Sequence, residues 1–215
     1  MTSPTSLIKP LALAAMLAAA SSAHAVITIY TTSASFAAAT TLPGVDTYTG
    51  FSISGTTPSP ITRVAGAYAY TGTASTSTFF GAGTTANPWL STNIATDTIT
   101  FGSFSAGVRA VGGNFFGSNI SGLFQAGDVT LTATDASGSV SQTIVGATVS
   151  SFLGFVSTGP ITSLVIQSVQ AGSTLWPTVD NLTLAQAAVV PEPEAYAMAF
   201  AGLAALGVFA RRRRA

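Results

Sequence analysis

The chain has 215 residues, of which 7% are charged and 47% are hydrophobic, and it contains no cysteine. Ordinary globular domains carry about 25% charged residues. The lack of thiols excludes disulfide frameworks, thiolate metal sites and cysteine nucleophiles, and the length allows one or two domains.

The first 25 residues have the organisation of a secretory signal peptide. A short segment that contains Lys9 precedes an uncharged apolar helical stretch at residues 11–20, which is too short to span a membrane. Ala23 and Ala25 supply the small-x-small pattern that signal peptidase recognises. We therefore predict export, with signal peptidase cutting after Ala25. The alternative is an uncleaved N-terminal anchor helix.

Residues 26–188 form the predicted domain, and they carry few charges. This segment has no Lys, Glu or His. Its charged residues are Asp46, Arg63, Asp97, Arg109, Asp128, Asp135 and Asp180. Two arginines cannot supply the positive field that binding to phosphates requires, so nucleic-acid binding is excluded.

Most of this domain is predicted to form β-strands, because segments rich in Thr, Val, Ile, Tyr and Phe alternate with clusters of Gly, Pro, Asn and Ser. The predicted strands are residues 26–31, 48–53, 67–71, 76–80, 97–101, 108–116, 128–134, 139–145, 151–156, 161–169 and 178–184. One short helix is expected at residues 33–40. The pattern predicts an all-β, antiparallel two-sheet β-sandwich of the jelly-roll type. Thr130, Thr132 and Thr134 form a single row on one strand, which is ordinary strand surface.

Catalysis is not expected in this domain. General acid–base and nucleophilic chemistry draws on His, Glu, Lys, Cys and Asp, and only Asp is present. Asp128 and Asp135 bracket one predicted strand and are the best pair for an alternative function as an Asp-dependent glycan hydrolase. Their odd offset of seven puts them on opposite faces of a regular strand, so we predict a protein that is not an enzyme.

The two tryptophans are candidate carbohydrate-binding residues. Trp89 and Trp176 each neighbour a proline, which favours loop positions where an indole ring can be exposed for stacking on sugars. Core packing is the alternative, because tryptophan is usually at least partly buried.

The C-terminal residues 189–215 have three parts. Pro191 and Pro193 flank Glu192 and mark an extended junction, because proline blocks helix continuation. Residues 195–210 form an uncharged stretch that we predict as a short transmembrane helix. Arginines occupy positions 211–214, namely Arg211, Arg212, Arg213 and Arg214. The positive-inside rule keeps this cluster in the cytoplasm and the rest of the chain outside. A generic C-terminal anchor with stop-transfer arginines is the alternative.

This tail resembles the PEP-CTERM sorting signal of Gram-negative bacteria, in which a Pro-Glu-Pro motif, an apolar helix and an arginine cluster follow one another. The resemblance implies processing by an exosortase-type membrane protease, with Pro191, Glu192 and Pro193 as the recognition motif and transient anchoring in the inner membrane. It also implies a bacterium that makes an exopolysaccharide matrix or biofilm. Glu194 replaces the Ser or Thr of many members, so the processing point stays open.

Residues 107–184 resemble secreted bacterial jelly-roll modules, many of which bind carbohydrate. The similarity rests on the segments 108–116 and 152–156, Gly127-Asp128 and residues 177–182. It implies a structural calcium ion held by Asp180 on the last strand, with Asn181 as a further oxygen donor. A simple turn or cap at these two residues is the alternative.

Together these features predict an exported protein of the cell surface or extracellular matrix, with a non-enzymatic binding or structural role in the exopolysaccharide layer. A lectin-like module with structural calcium is the main alternative.

Overall fold

Two antiparallel β-sheets form the body of the protein in the computed structural model, which describes residues 25–188 apart from residues 77 and 173. The strands are β1 (Ile27–Tyr30), β2 (Thr40–Asp46), β3 (Thr56–Pro58), β4 (Ile61–Ala65), β5 (Tyr68–Ala74), β6 (Thr78–Thr84), β7 (Asn87–Thr92), β8 (Thr98–Gly102), β9 (Ala110–Ser118), β10 (Phe124–Gln125), β11 (Gly127–Asp135), β12 (Gly138–Ala147), β13 (Phe152–Ser157), β14 (Ile161–Ser168) and β15 (Trp176–Ala187). This architecture confirms the predicted all-β two-sheet sandwich.

The two sheets differ in size. The nine-stranded sheet has the order β1-β13-β9-β15-β7-β6-β3, with β10 paired to β9 and β2 paired to β15. The six-stranded sheet has the order β12-β11-β14-β8-β5-β4. The predicted signal-peptide and C-terminal transmembrane helices lie outside the described residues. Within residues 25–188, we find no helix with the length and apolar character needed to cross a membrane.

The hydrophobic core lies between the sheets, because alternate residues of each strand point inward. On β11 the inward residues Val129, Leu131 and Ala133 are fully buried. The facing sheet contributes Phe115 and Phe155, which are also fully buried. Each large apolar side chain of this kind stabilises the fold by about 1.5–3 kcal/mol when buried. This layer therefore supplies much of the driving force for folding.

A short helix, α1 (Ser33–Ala38), covers the outer face of the nine-stranded sheet. It begins at Thr32, whose side chain accepts a hydrogen bond from the Ser35 N–H at 3.2 Å. Phe36 is buried and lies 5.4 Å from the ring of Phe152. A Cβ at Gly154 would lie 2.3 Å from the Phe36 ring, so the close approach of helix and sheet requires glycine there.

Some predicted elements are wrong. Residues 48–53 form a turn in place of the predicted strand, because the Phe51 N–H donates to the Tyr48 carbonyl at 2.9 Å and Tyr48 adopts a φ of 53°. The prediction also missed β2, β3, β4, β7 and β10. These strands are short or interrupted by Pro, Asn and Gly, and the pairing of the sheet overrides their local preferences.

Candidate functional site

Hydroxyl side chains cover the outer face of the six-stranded sheet. The strand register places Thr132 of β11 between Ser141 of β12 and Val165 of β14, and Val165 pairs in turn with Thr100 of β8. We call this surface the hydroxyl face. Its hydroxyl-bearing residues are Thr62, Thr71, Thr73, Thr98, Thr100, Thr130, Thr132, Thr134, Ser139, Ser141, Thr143 and Ser163. None of these hydroxyl-bearing positions is paired with a charged residue, and Asp128, half-buried at the β-bulge near the start of β11, lies at the end of this surface.

The hydroxyls of β11 and β12 bond to one another across the strands. The hydroxyl oxygens of Thr130 and Thr143 lie 2.8 Å apart, and those of Thr132 and Ser141 lie 2.7 Å apart. The hydroxyl oxygens of Thr134 and Ser139 form a third pair, 2.8 Å apart. Each hydroxyl offers one donor and two acceptor sites, so the paired groups keep capacity for an external ligand. Sequence reasoning identified only the single row on β11, because the neighbouring rows become visible only when the strands are paired.

A groove of about 500 Å³ opens at the flank of the sandwich beside β12. Its walls carry the hydroxyls of Thr31 and Ser151, the amide of Gln142 and the ring of Phe152. No charged residue lines this groove. It therefore continues the uncharged, hydroxyl-rich chemistry of the hydroxyl face around the edge of the six-stranded sheet.

The structure places the two tryptophans in the neighbouring strands β7 and β15, so the prediction of loop positions is wrong. Trp89 of β7 packs edge-on against Phe116 with ring centroids 4.9 Å apart, and its indole nitrogen is buried. Trp176 begins β15 and is half-buried, lining a groove of about 180 Å³ together with Phe80 and Ile120. Trp176 therefore lies beside a groove.

Asp180 is a buried carboxylate on the outer face of the nine-stranded sheet, with only 5% of its surface exposed. Its Oδ2 accepts a 3.4 Å hydrogen bond from the Asn87 side chain, while Oδ1 has no hydrogen-bond partner among the described residues. Burial raises the pKa of Asp180, and the interactions with the Asn87 side chain and the Asn181 backbone offset this only in part.

Amide side chains surround this carboxylate. Asn114 is the register partner of Asp180 on β9, and a β-bulge follows in which Asn181 has a φ of 53° and donates to the Asn114 side-chain oxygen at 3.4 Å. Carboxylate and amide oxygens are ligands that calcium accepts, and an ion at Asp180 and Asn181 stays a prediction. The described part of the chain has no group of three or more acidic, His or Cys residues, so the amides would supply most of the ligands.

Asp128 and Asp135 stand at opposite ends of β11 and have separate structural roles. Asp128 accepts the N–H of Gly146 at 2.8 Å, and Asp135 accepts the Ser157 hydroxyl at 2.6 Å and the Ser137 N–H at 2.7 Å. Seven residues of extended strand span about 23 Å, whereas paired glycosidase carboxylates lie about 5–9.5 Å apart. This pair therefore lacks the geometry for glycoside hydrolysis.

Sequence reasoning missed the strongest electrostatic cluster of the described residues. Asp46 accepts two hydrogen bonds from the Arg63 guanidinium, at 2.7 and 2.8 Å, and a third from the Tyr70 hydroxyl at 2.7 Å. Burial alone would raise the pKa of Asp46, but these bonds hold it below its ordinary value. Arg63 also lies over the Tyr48 ring, 5.3 Å from its centroid. The spacing of 17 residues between Asp46 and Arg63 gives no sequence signal for this contact.

The geometry defines the body of the protein as an antiparallel two-sheet β-sandwich. Residues 189–214, which follow the sandwich in the chain, match the family model of the PEP-CTERM protein-sorting motif. The chain therefore carries a PEP-CTERM sorting signal, which confirms the resemblance drawn from Pro191, Glu192, Pro193 and the arginines. No curated protein and no solved structure gives a significant match to the chain.

The sorting motif implies export through an exosortase-type system, with processing by the exosortase and a membrane-anchored sorting step. The motif residues and the four arginines lie outside the described residues, as does Ala23. Ala25, the predicted cleavage residue, is the first described residue, and its N–H donates to the Ser137 hydroxyl at 3.0 Å.

Proposed function

We propose that the exported sandwich is a non-enzymatic component of an extracellular polysaccharide layer, and that its hydroxyl face binds uncharged polysaccharide. The observation that supports this best is the array of hydroxyls on neighbouring strands with no charge among them. The sorting motif implies export of the protein from the cytoplasm, and extracellular polysaccharides are deposited outside the cell. We place the mature protein at the surface of a Gram-negative bacterium or in its matrix.

The chemistry of the hydroxyl face matches that of sugars. Threonine and serine hydroxyls can both donate to and accept from sugar hydroxyls, and their methyl and methylene groups can pack on the apolar edges of a sugar ring. Anionic polymers are disfavoured, because residues 26–188 contain five aspartates and only two arginines. Each contact is weak, so binding relies on many contacts along an extended polymer.

The non-enzymatic part of the proposal rests on how the aspartates are used. Asp46, Asp128 and Asp135 each accept hydrogen bonds that close a turn or join two strands. Asp97 accepts hydrogen bonds from the hydroxyl groups of Ser75 and Thr76. No two of these four carboxylates share a hydrogen-bond partner among the described residues, so a dyad for acid–base chemistry has no support.

Co-sedimentation of the exported protein with polysaccharide tests this proposal. The probes are exopolysaccharide from the producing bacterium, the neutral polymer cellulose and the anionic polymer alginate. We expect binding to the neutral polymer and at least a tenfold loss in the double variant Thr100→Arg, Thr132→Arg. Thr47→Arg, at an exposed position directly after β2, is the matched control. Unchanged binding by the double variant, or no binding of the wild-type protein to any probe, would refute the proposal.

A lectin-like site with structural calcium is a second candidate, which the unpartnered Oδ1 of Asp180 favours. In this alternative Asp180, Asn87, Asn114 and Asn181 would hold the ion, and calcium would neutralise a carboxylate that the fold otherwise leaves unpaired. Trp176, half-buried beside its groove, would offer an aromatic surface to a sugar ring. The effect of calcium on stability, described in the Discussion, tests the metal part of this alternative.

A further inference from the structure

The β12 strand (Gly138–Ala147) forms one edge of the six-stranded sheet and pairs only with β11 among the described strands. Its ten residues contain no charge and no proline. Val145 is 79% exposed and Ser139, Ser141 and Gln142 are also exposed. An edge strand of this length presents unpaired backbone N–H and C=O groups that can pair with another strand.

The other sheet edges of the described residues are protected in ways that β12 is not. The β1 edge has four residues, and β3 has three and ends at Pro58. The β2 edge is interrupted by Pro43. The β4 edge carries Arg63 and lies against β2, where Gly44 approaches the Ala65 carbonyl too closely for any side chain. Short length, proline, charge and a covering strand are the devices by which proteins keep edges from pairing.

We propose that β12 pairs antiparallel with β12 of a second copy of this chain, so that the six-stranded sheet continues across a symmetric dimer. Residues 25–27 lie beside the start of β12 and residues 31–33 beside its second half, where they line grooves of about 250 and 500 Å³, but no described strand pairs with the free edge of β12. A β-bulge near Gly146, which Asp128 caps at 2.8 Å, limits the regular pairing stretch to residues 139–144.

Two arguments favour a second copy over another partner. An uncharged strand can lie opposite itself without placing like charges together, and a twofold axis closes the pairing at two chains. The membrane-anchored sorting step also holds identical chains in one plane, which raises their effective concentration for each other.

The symmetry predicts a measurable register. In a continuous antiparallel sheet, two residues directly opposite each other point to the same face, and side chains along each strand alternate between the faces. The two residue numbers in every β12–β12 pair therefore differ by an even amount. One residue of β12 must therefore lie opposite its own copy on the axis. Directly opposite Cα atoms in antiparallel strands are about 4.5–5.5 Å apart, a separation that a disulfide can bridge.

Because the chain has no cysteine, single-cysteine variants of the full protein report this register in the oxidising compartment to which it is exported. The scan replaces Ser139, Val140, Ser141, Gln142 and Thr143 one at a time. Thr56→Cys on β3 and Thr62→Cys on β4 are the matched controls, since both positions are exposed on other edges. We expect one β12 position to form a disulfide dimer on a non-reducing gel with at least tenfold higher yield than either control.

A second set of variants tests whether pairing of the edge causes the cross-link. Adding Ser141→Lys or Thr143→Lys, whichever is not the cysteine position, places like charges near the axis and should abolish the dimer. Thr100→Lys, on the same face in the middle of the sheet, should leave the dimer unchanged. No cross-link at any β12 position, equal yields at β12 and control positions, or dimers that persist with the edge lysine would each overturn the proposal.

Discussion

Arg63 donates two hydrogen bonds to the Asp46 carboxylate, from Nε to Oδ2 at 2.7 Å and from Nη2 to Oδ1 at 2.8 Å. Asp46 ends β2 in the nine-stranded sheet, and Arg63 is the central residue of β4 in the six-stranded sheet. This ion pair therefore ties the two sheets together at one edge of the sandwich. Tyr70 of β5, also in the six-stranded sheet, donates a further bond to the same carboxylate at 2.7 Å, so this sheet supplies all three side-chain bonds to Asp46.

Replacing Asp46 with Asn should destabilise the fold by about 2–4 kcal/mol, because it leaves the Arg63 guanidinium partly buried without its counter-charge. Urea unfolding at pH 7 measures this loss. Arg109→Gln is the matched control, since the Arg109 side chain is exposed and, among the described residues, donates a single hydrogen bond, to the Thr158 carbonyl. Equal effects of the two substitutions would show that the Asp46 ion pair has no special role.

The stability of the protein should fall in acid. Burial alone would raise the pKa of Asp135, but hydrogen bonds from Ser157 and two backbone N–H groups lower it below its ordinary value. The pKa of Asp46 is also below its ordinary value. Both carboxylates have lower pKa values in the folded state than the unfolded value of about 3.9. The stability that their charged forms give to the fold is therefore fully present above that pH. It is lost as the pH falls through the folded-state pKa values.

Unfolding free energies measured between pH 7 and pH 2 test this dependence. The difference between the wild-type protein and Asp46→Asn should shrink towards low pH, because protonation removes the same charge. A difference that stays constant over this range would contradict the assigned role of the Asp46 carboxylate.

Asp180→Asn should leave the protein at least as stable as the wild type at pH 7 in the presence of a chelator. The raised pKa of Asp180 means that its charged form costs stability above the unfolded pKa, and asparagine keeps the shape without the charge. Under the calcium alternative, added calcium raises the melting temperature of the wild-type protein and not that of the variant. A calcium effect of the same size in both proteins would place the ion elsewhere.

Phe115→Ala should cost about 3–5 kcal/mol, because it opens a cavity in the layer between the sheets where Phe115 is fully buried. Phe124→Ala is the matched control, since Phe124 is 40% exposed and touches the sandwich through Phe116. We expect about 1 kcal/mol or less for the control. Equal losses in urea unfolding would mean that the core is not centred on Phe115.

The intact mass of the exported protein should show the C-terminal segment removed. Processing by an exosortase at the PEP-CTERM motif separates the arginine cluster from the sandwich. Mass spectrometry of protein recovered from the cell surface measures the retained length. Substituting Glu192 should leave the tail attached, whereas the matched change at Glu194 should not prevent processing if Pro191, Glu192 and Pro193 form the recognition motif.

The sequence by itself determined the fold class, most of the longer strands and the sorting route. Strands such as β11 can be predicted from the local sequence, because Val129, Leu131 and Ala133 alternate with threonines with a period of two residues. The helix at residues 33–38 and the sorting motif are likewise contiguous in the chain. Such signals depend only on neighbouring residues, so they can be recognised without knowledge of the tertiary structure.

The tertiary structure alone decided which side chains act together. Asp46 reaches Arg63 across 17 residues, and Asp180 reaches Asn87 across 93. The hydroxyl face requires strands of the six-stranded sheet to lie side by side in one register, and the exposure of β12 depends on which strand has no second neighbour. Strand order and register are set by how the whole core packs. Side-chain periodicity within one segment contains no information about the segment beside it.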